Sequence, residues 1–131
     1  MDGFGIVVGA GSLRSTSATT SFAHRWTSEG VTVDAAFTGG HLLHLAAAGC
    51  VLNDVYREAA AMGLVLRGVR VGADGAFDDT TWSSRGIGYW VELDCDAPTS
   101  EVDSLLRRVD AVAEIPRALR AGTSVERVPA P

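Results

Sequence analysis

The chain contains no lysine: its eleven cations are all arginine, set against sixteen carboxylates for a formal net charge of −5. That balance excludes a nucleic-acid surface, because neutralising phosphates takes clustered Lys and Arg. It also makes every cation a planar, permanently charged guanidinium, suited to pinning a carboxylate or a thiolate. No apolar run approaches the roughly 18–20 residues of a membrane span, so no membrane partner is expected. The opening MDGFGIVVGAGS lacks the basic stretch of a secretory signal. Cysteine is scarce, with two residues. Without a signal, that fits a reducing cytoplasm, where a thiol is free or catalytic instead of stapling. Repeats and low-complexity linkers are absent too, and 131 residues suit one domain over 1–131.

What is present is an alternation of strand-like and helix-like periods. Phe4 to Val8 reads as a short strand, and GAGSLRSTS as a loop. TSFAHRW and VTVDAAF read as strands around a turn at Ser28-Glu29-Gly30. Thr38-Gly39-Gly40 leads into a long helix that Gly63 terminates. LVLRGVRVGADGAF alternates like a strand, with ADGA as its turn signal. In IGYWVELDC, Ile87, Tyr89, Val91, Leu93 and Cys95 share an apolar face, which makes Cys95 a core thiol. TSEVDSLLRRVDAVAEI carries a helical stripe of Val102, Leu105, Leu106, Val109 and Val112, with Ser100 and Asp103 as a capping-box-like start. Pro116 ends it, PRALRAG is a turn, and SVERV can add a last strand. This order predicts an α+β fold in place of a doubly wound sheet.

Two motifs invite a cofactor and do not complete one. GIVVGAGSLR resembles a dinucleotide fingerprint, but Arg14 stands at the third glycine and no amphipathic helix follows to present its N-terminus to a phosphate. His41 and His44 lie one turn apart and could share a metal, but no third ligand stands near them in sequence. No cofactor and no metal are therefore expected, and the histidines are placed on a helix shoulder.

The chemistry rests on HLLHLAAAGCVLNDVYREAAAMG, where a single cysteine interrupts an alanine-rich helix. Leu43, Ala46, Ala47, Cys50, Asp54 and Arg57 fall along one side. Small residues there would let another element cross closely at Ala46–Cys50. Cys50 can then be packing, since a free cysteine behaves as a small hydrophobe. For it to be a nucleophile, something must stabilise the thiolate. Arg57 can reach back along the helix with Asp54 orienting it, and Arg14, Arg25 or Arg85 could come from elsewhere.

The segment from His41 through Asp78, HLLHLAAAGCVLNDVYREAAAMGLVLRGVRVGADGAFD, resembles the central helix and following strand of the OsmC/Ohr family (osmotically inducible protein C and organic hydroperoxide resistance proteins). VDAVAEIPRALRAGTSV is similar to the family's second helix, proline and closing strand, so the resemblance spans about Thr38 to Val125. It implies an OsmC-like α+β fold, with a long central helix packed against antiparallel sheets in an intertwined homodimer. It implies a peroxidatic cysteine at Cys50, with Arg14 the nearest match to an assisting arginine of the Ohr branch. The family's resolving cysteine corresponds to Ile115 and the Ohr carboxylate to Gly40, so both are missing. The expectation is a cytoplasmic, thiol-dependent peroxidase that reduces small organic hydroperoxides through Cys50, with Arg57 or Arg14 assisting and an external thiol reductant closing the cycle. The alternatives are a non-catalytic dimer holding a small hydrophobic ligand, or a thiol hydrolase using His41 or His44 as base.

Overall fold

Thr38 starts the longest element. The computed structural model describes residues 3–131. Thr38 is extended (φ −140°, ψ 162°), and its Oγ1 accepts the His41 backbone N–H at 3.1 Å, capping helix α1, Gly39–Ala61. Gly63 ends the helix in the left-handed region at φ 72°. Five strands precede or follow it: β1 Ile6–Gly11, β2 Thr20–Phe22, β3 Val31–Asp34, β4 Gly68–Phe77 and β5 Ser84–Asp94. They form one sheet in the order β2-β3-β1-β4-β5, every neighbour antiparallel. Helices α2, Thr99–Val112, and α3, Glu114–Ala121, complete the α+β architecture.

Period-two alternation decides which sheet face is covered. Ile6, Val8 and Ala10 of β1 and Val69, Val71 and Ala73 of β4 form one buried face with the α1 stripe Ala48, Val51, Leu52, Val55 and Ala59. Leu105 and Val109 of α2 join this core. Each fully buried Val or Leu contributes about 1.5–3 kcal/mol. On β4 and β5, residues of the opposite phase pair in polar fashion: Arg70 Nη2 lies 2.6 Å from Glu92 Oε1, and its guanidinium sits 5.7 Å from the Trp90 ring centre. Among the described residues, no helix is long and apolar enough to cross a membrane.

Several local expectations give way. The Asp-Gly of ADGA makes no turn; β4 runs through it, and the chain reverses at Asp78–Ser83, where Asp78 Oδ1 accepts the Thr80 and Thr81 N–H groups at 2.8 Å. Gly75 is there for close approach: a Cβ would stand 2.4 Å from both the Gly86 carbonyl oxygen and His44 Nε2. The Ser100–Asp103 capping box does not form, because α2 begins at Thr99 behind Pro98 and has no side-chain cap. PRALRAG is helical, not a turn. Pro116 falls in the first turn of α3, where a missing N–H costs nothing. SVERV forms no strand, and its residues are exposed. Cys95 lies just beyond β5, half-buried, with Sγ accepting the Ala97 N–H at 3.3 Å, so it is not a core thiol.

Candidate functional site

Two buried polar places lie on α1. The first is at its N-terminal end. His44 is fully buried and not on a shoulder as the sequence suggested; its Nδ1 lies 2.6 Å from the Gly40 carbonyl oxygen. The ring stacks on Phe4 at 6.2 Å and meets Phe77 edge-on. Among the described residues its Nε2 has no hydrogen-bond partner. Gly40, the place of the Ohr carboxylate in the resemblance, is occupied in space by Phe4: a Cβ there would stand 2.4 Å from the Phe4 ring. No side chain fits.

The second place is at Cys50. The thiol is half-buried, and its Sγ lies 4.0 Å from Asp54 Oδ2, one turn further along α1. The same Oδ2 takes Arg57 Nη2 at 3.1 Å. Arg57 Nε donates to Glu58 Oε2 at 3.0 Å, and Glu58 also accepts from Arg108 of α2. Asp54 is fully buried and Glu58 nearly so, so a chain of alternating charge runs from the thiol to the surface. The i, i+3 pair expected of Asp54 and Arg57 is formed.

The start of α3 closes the site from the other side. The Ile115 backbone faces the thiol, so the position that lacks a resolving cysteine is beside Cys50. Glu114 brings a carboxylate oxygen into a cluster whose ligand atoms, with Cys50 Sγ and an Asp54 oxygen, all lie within 4.8 Å of one another. Burial is the main cause holding the Cys50 thiol above its ordinary range. The Ile115 backbone pulls the other way, and the Asp54 and Glu114 charges add to the rise. Burial likewise raises Asp54 against the opposing pull of Arg57. Burial therefore biases the resting thiol to its protonated form, with the Asp54 carboxyl group 4.0 Å away.

Cys50 opens onto a cavity of about 520 Å³. Val8, Val31 and Val33 of the sheet, Leu45 and Gly49 of α1, and Ile115 give it an apolar lining. His24, Asn53 and Glu114 are its polar groups besides the thiol. Burial lowers the His24 imidazole, partly offset by the neighbouring Asn53 side chain; its Nδ1 lies 2.9 Å from Thr27 Oγ1. The close crossing expected at Ala46–Cys50 is made at its Cys50 end by the start of α3, while among the described residues nothing lies within 4 Å of a Cβ built on Gly49.

Of the sequence candidates, Cys50 and Arg57 come together through Asp54. Arg14 lies apart from them, its Nη1 3.1 Å from Glu29 Oε2, and is not on the cavity wall. Sequence reasoning missed His24 and Glu114. His24 carries no local signal, since it follows a three-residue strand at the sheet edge. Glu114 could have been found, because it immediately precedes the position the resemblance pairs with Cys50 and is acidic at a helix start.

The fold and this site define an α+β protein whose helix-borne thiol faces an apolar cavity beside a buried carboxylate. The sequence matches the family model described as OsmC-like protein over residues 32–127, and the chain belongs to that family. Among solved structures it is similar to an OsmC-like hydroperoxide resistance protein from Jannaschia sp. CCS1, at 12% identity and a TM-score of 0.56, over 96% of this chain and 93% of that one. At that identity the likeness is one of fold. No match is found among curated protein sequences.

Proposed function

We propose that this chain is a thiol-dependent peroxidase that reduces small organic hydroperoxides at Cys50. Family membership and the hydroperoxide resistance role named for the Jannaschia protein support the class of activity. The observation that carries the assignment to this site is the thiol itself. It stands on an apolar cavity wall with a buried carboxylate at 4.0 Å, and that carboxylate is held by an arginine.

The reaction begins from the protonated thiol. As sulfur attacks the distal peroxide oxygen, Asp54 Oδ2 takes the thiol proton, with Arg57 stabilising the carboxylate until then. The O–O bond breaks, and the leaving alkoxide recovers that proton to depart as alcohol. Cys50 is left as a sulfenic acid. The Ile115 backbone stabilises the charge that develops on sulfur. An external thiol then condenses with the sulfenic acid, releasing water, and a second thiol frees Cys50 and leaves as the disulfide. That cycle needs a reducing compartment, for which we take the cytoplasm. Arg14 has no part in it.

The protein acts as a homodimer in this reading. Leu42 is 37% exposed, Ala46 on the same side of α1 is exposed as well, and among the described residues nothing lies within 4 Å of a Cβ built on Gly49, so a second copy covers this apolar stripe. Light scattering at micromolar concentration checks it; a folded monomer would refute it. The activity is tested by intact-mass spectrometry after mild treatment with cumene hydroperoxide. Oxygen addition to wild type and Cys95→Ser, and none to Cys50→Ser, is expected. No oxygen on Cys50 while exposed thiols are modified would hand the cavity to a non-reacting hydrophobic ligand.

A further inference from the structure

We infer that the Cys50 cavity discriminates against anionic substrates and that the Glu114 carboxylate is the discriminating group. The inference rests on the peroxidase reading for its substrate class, though the charge selection it describes is a property of the cavity. Four polar side chains line the wall: His24, Cys50, Asn53 and Glu114. His24 and Cys50 are both driven toward their neutral forms by burial, and Asn53 has no charge. Glu114 is the acid on this wall, and among the described residues no arginine lines the cavity. Among the described residues no ion pair involves Glu114. Arg57, the cation in the same neighbourhood, is already divided between Asp54 and Glu58. The Glu114 carboxylate is within 4.8 Å of the thiol; the Asp54 carboxyl, at 4.0 Å, is paired with Arg57. A reactant approaching sulfur with a second negative charge meets repulsion that nothing on the wall offsets. A neutral reactant of the same shape does not.

Two unit charges some 6–7 Å apart repel by an amount that corresponds to about 3- to 100-fold in rate across the range from water-like to protein-surface screening. The effect decays as salt shortens the Debye length. Specificity of this kind comes from an unfavourable contact with the wrong partner, and it needs no new contact with the right one.

The test uses pairs of reagents that differ in charge alone. Iodoacetamide and iodoacetate both alkylate thiols, so their rates at Cys50, normalised to a small neutral thiol, read the selection without any peroxidase chemistry. Cys95→Ser removes the second thiol from the measurement. Preference for iodoacetamide by about tenfold is expected at low salt, falling toward unity in Glu114→Gln and in high salt. The same ratio is then taken from kcat/KM for cumene hydroperoxide and its para-carboxylate derivative. Any change in Cys50 nucleophilicity caused by the substitution is common to both reagents and cancels in the ratio. An alkylation ratio near one in wild type, or one unchanged by Glu114→Gln, overturns the inference. Alkylation selectivity with neither hydroperoxide reduced sinks the peroxidase reading while leaving the charge selection standing.

Discussion

The two polar places on α1 have the same burial and opposite character. His44 and Asp54 are both fully buried on one helix. Around His44 the structure is aromatic and closed: Phe4 and Phe77 hold the ring, one nitrogen meets a backbone carbonyl, and the other has no partner among the described residues. Leaving such a group unsatisfied costs about 1–3 kcal/mol. Around Asp54 the structure is ionic, with Arg57, Glu58 and Arg108 in a chain, and it lies beside a thiol that faces a cavity. Burying a polar group does not make a site. In the proposed mechanism the Cys50 end supplies a reactive atom, a group to receive its proton and a volume to hold a reactant, whereas the His44 end is packed among aromatic rings.

If the comparison holds, the largest effect belongs to the thiol. Cys50→Ser should reduce hydroperoxide turnover to the rate of the free reductant alone, as followed by consumption of cumene hydroperoxide. His44→Phe should leave turnover within about threefold.

Asp54→Asn comes next. Losing a general base costs about 10²–10⁴-fold where proton transfer is limiting, and a fall of at least tenfold in kcat/KM at pH 7 is expected. Asp54 has a folded pKa raised by burial, so its stabilising contribution is present below the ordinary carboxylate range and is lost as pH rises through the raised value. At pH 7 the variant should therefore melt no lower than wild type. A variant that reacts as fast as wild type would reduce Asp54 to an obstacle to thiolate formation and remove it from the mechanism.

Gly75→Ala reverses the pattern. Its Cβ collides with the Gly86 carbonyl oxygen and His44 Nε2, and overpacking of this kind costs about 1–3 kcal/mol. A lower denaturation midpoint is expected, with Cys50 alkylation in the folded protein unchanged. An unchanged midpoint would mean that the aromatic box is loose.

The acid limb of stability sharpens the ionic side. Glu58 is held below its ordinary pKa first by Arg108 and then by Arg57. Its contribution is fully present above the ordinary Glu value and is lost as pH falls through the lowered one. Glu58→Gln should flatten the loss of melting temperature between about pH 5 and 3. The smallest effect is Arg14→Ala. Its partner Glu29 is well exposed, and such surface pairs contribute about 0–1 kcal/mol, so turnover should stay within about twofold.

The strand and helix periods were legible because they are local: Val69, Val71 and Ala73 alternate, and Leu105 and Val109 repeat on a helical stripe, whatever they pack against. The Thr38 cap and the Gly63 stop follow from backbone chemistry within a few residues. The Asp54–Arg57 pair is set by helix geometry. Tertiary structure decided the rest. Asp74-Gly75 has the chemistry of a turn, but the close approach of His44 to Gly75 keeps it in a strand. Pro116 could have ended a helix and instead sits in the first turn of one, because α3 starts afresh at Glu114. Phe4, which precedes β1, fills the space that a side chain at Gly40 would need. The proton affinity of Cys50 depends on burial and on Glu114 and Ile115, more than sixty residues away. Electrostatics and packing act through space, and only the folded chain determines which distant residues are neighbours.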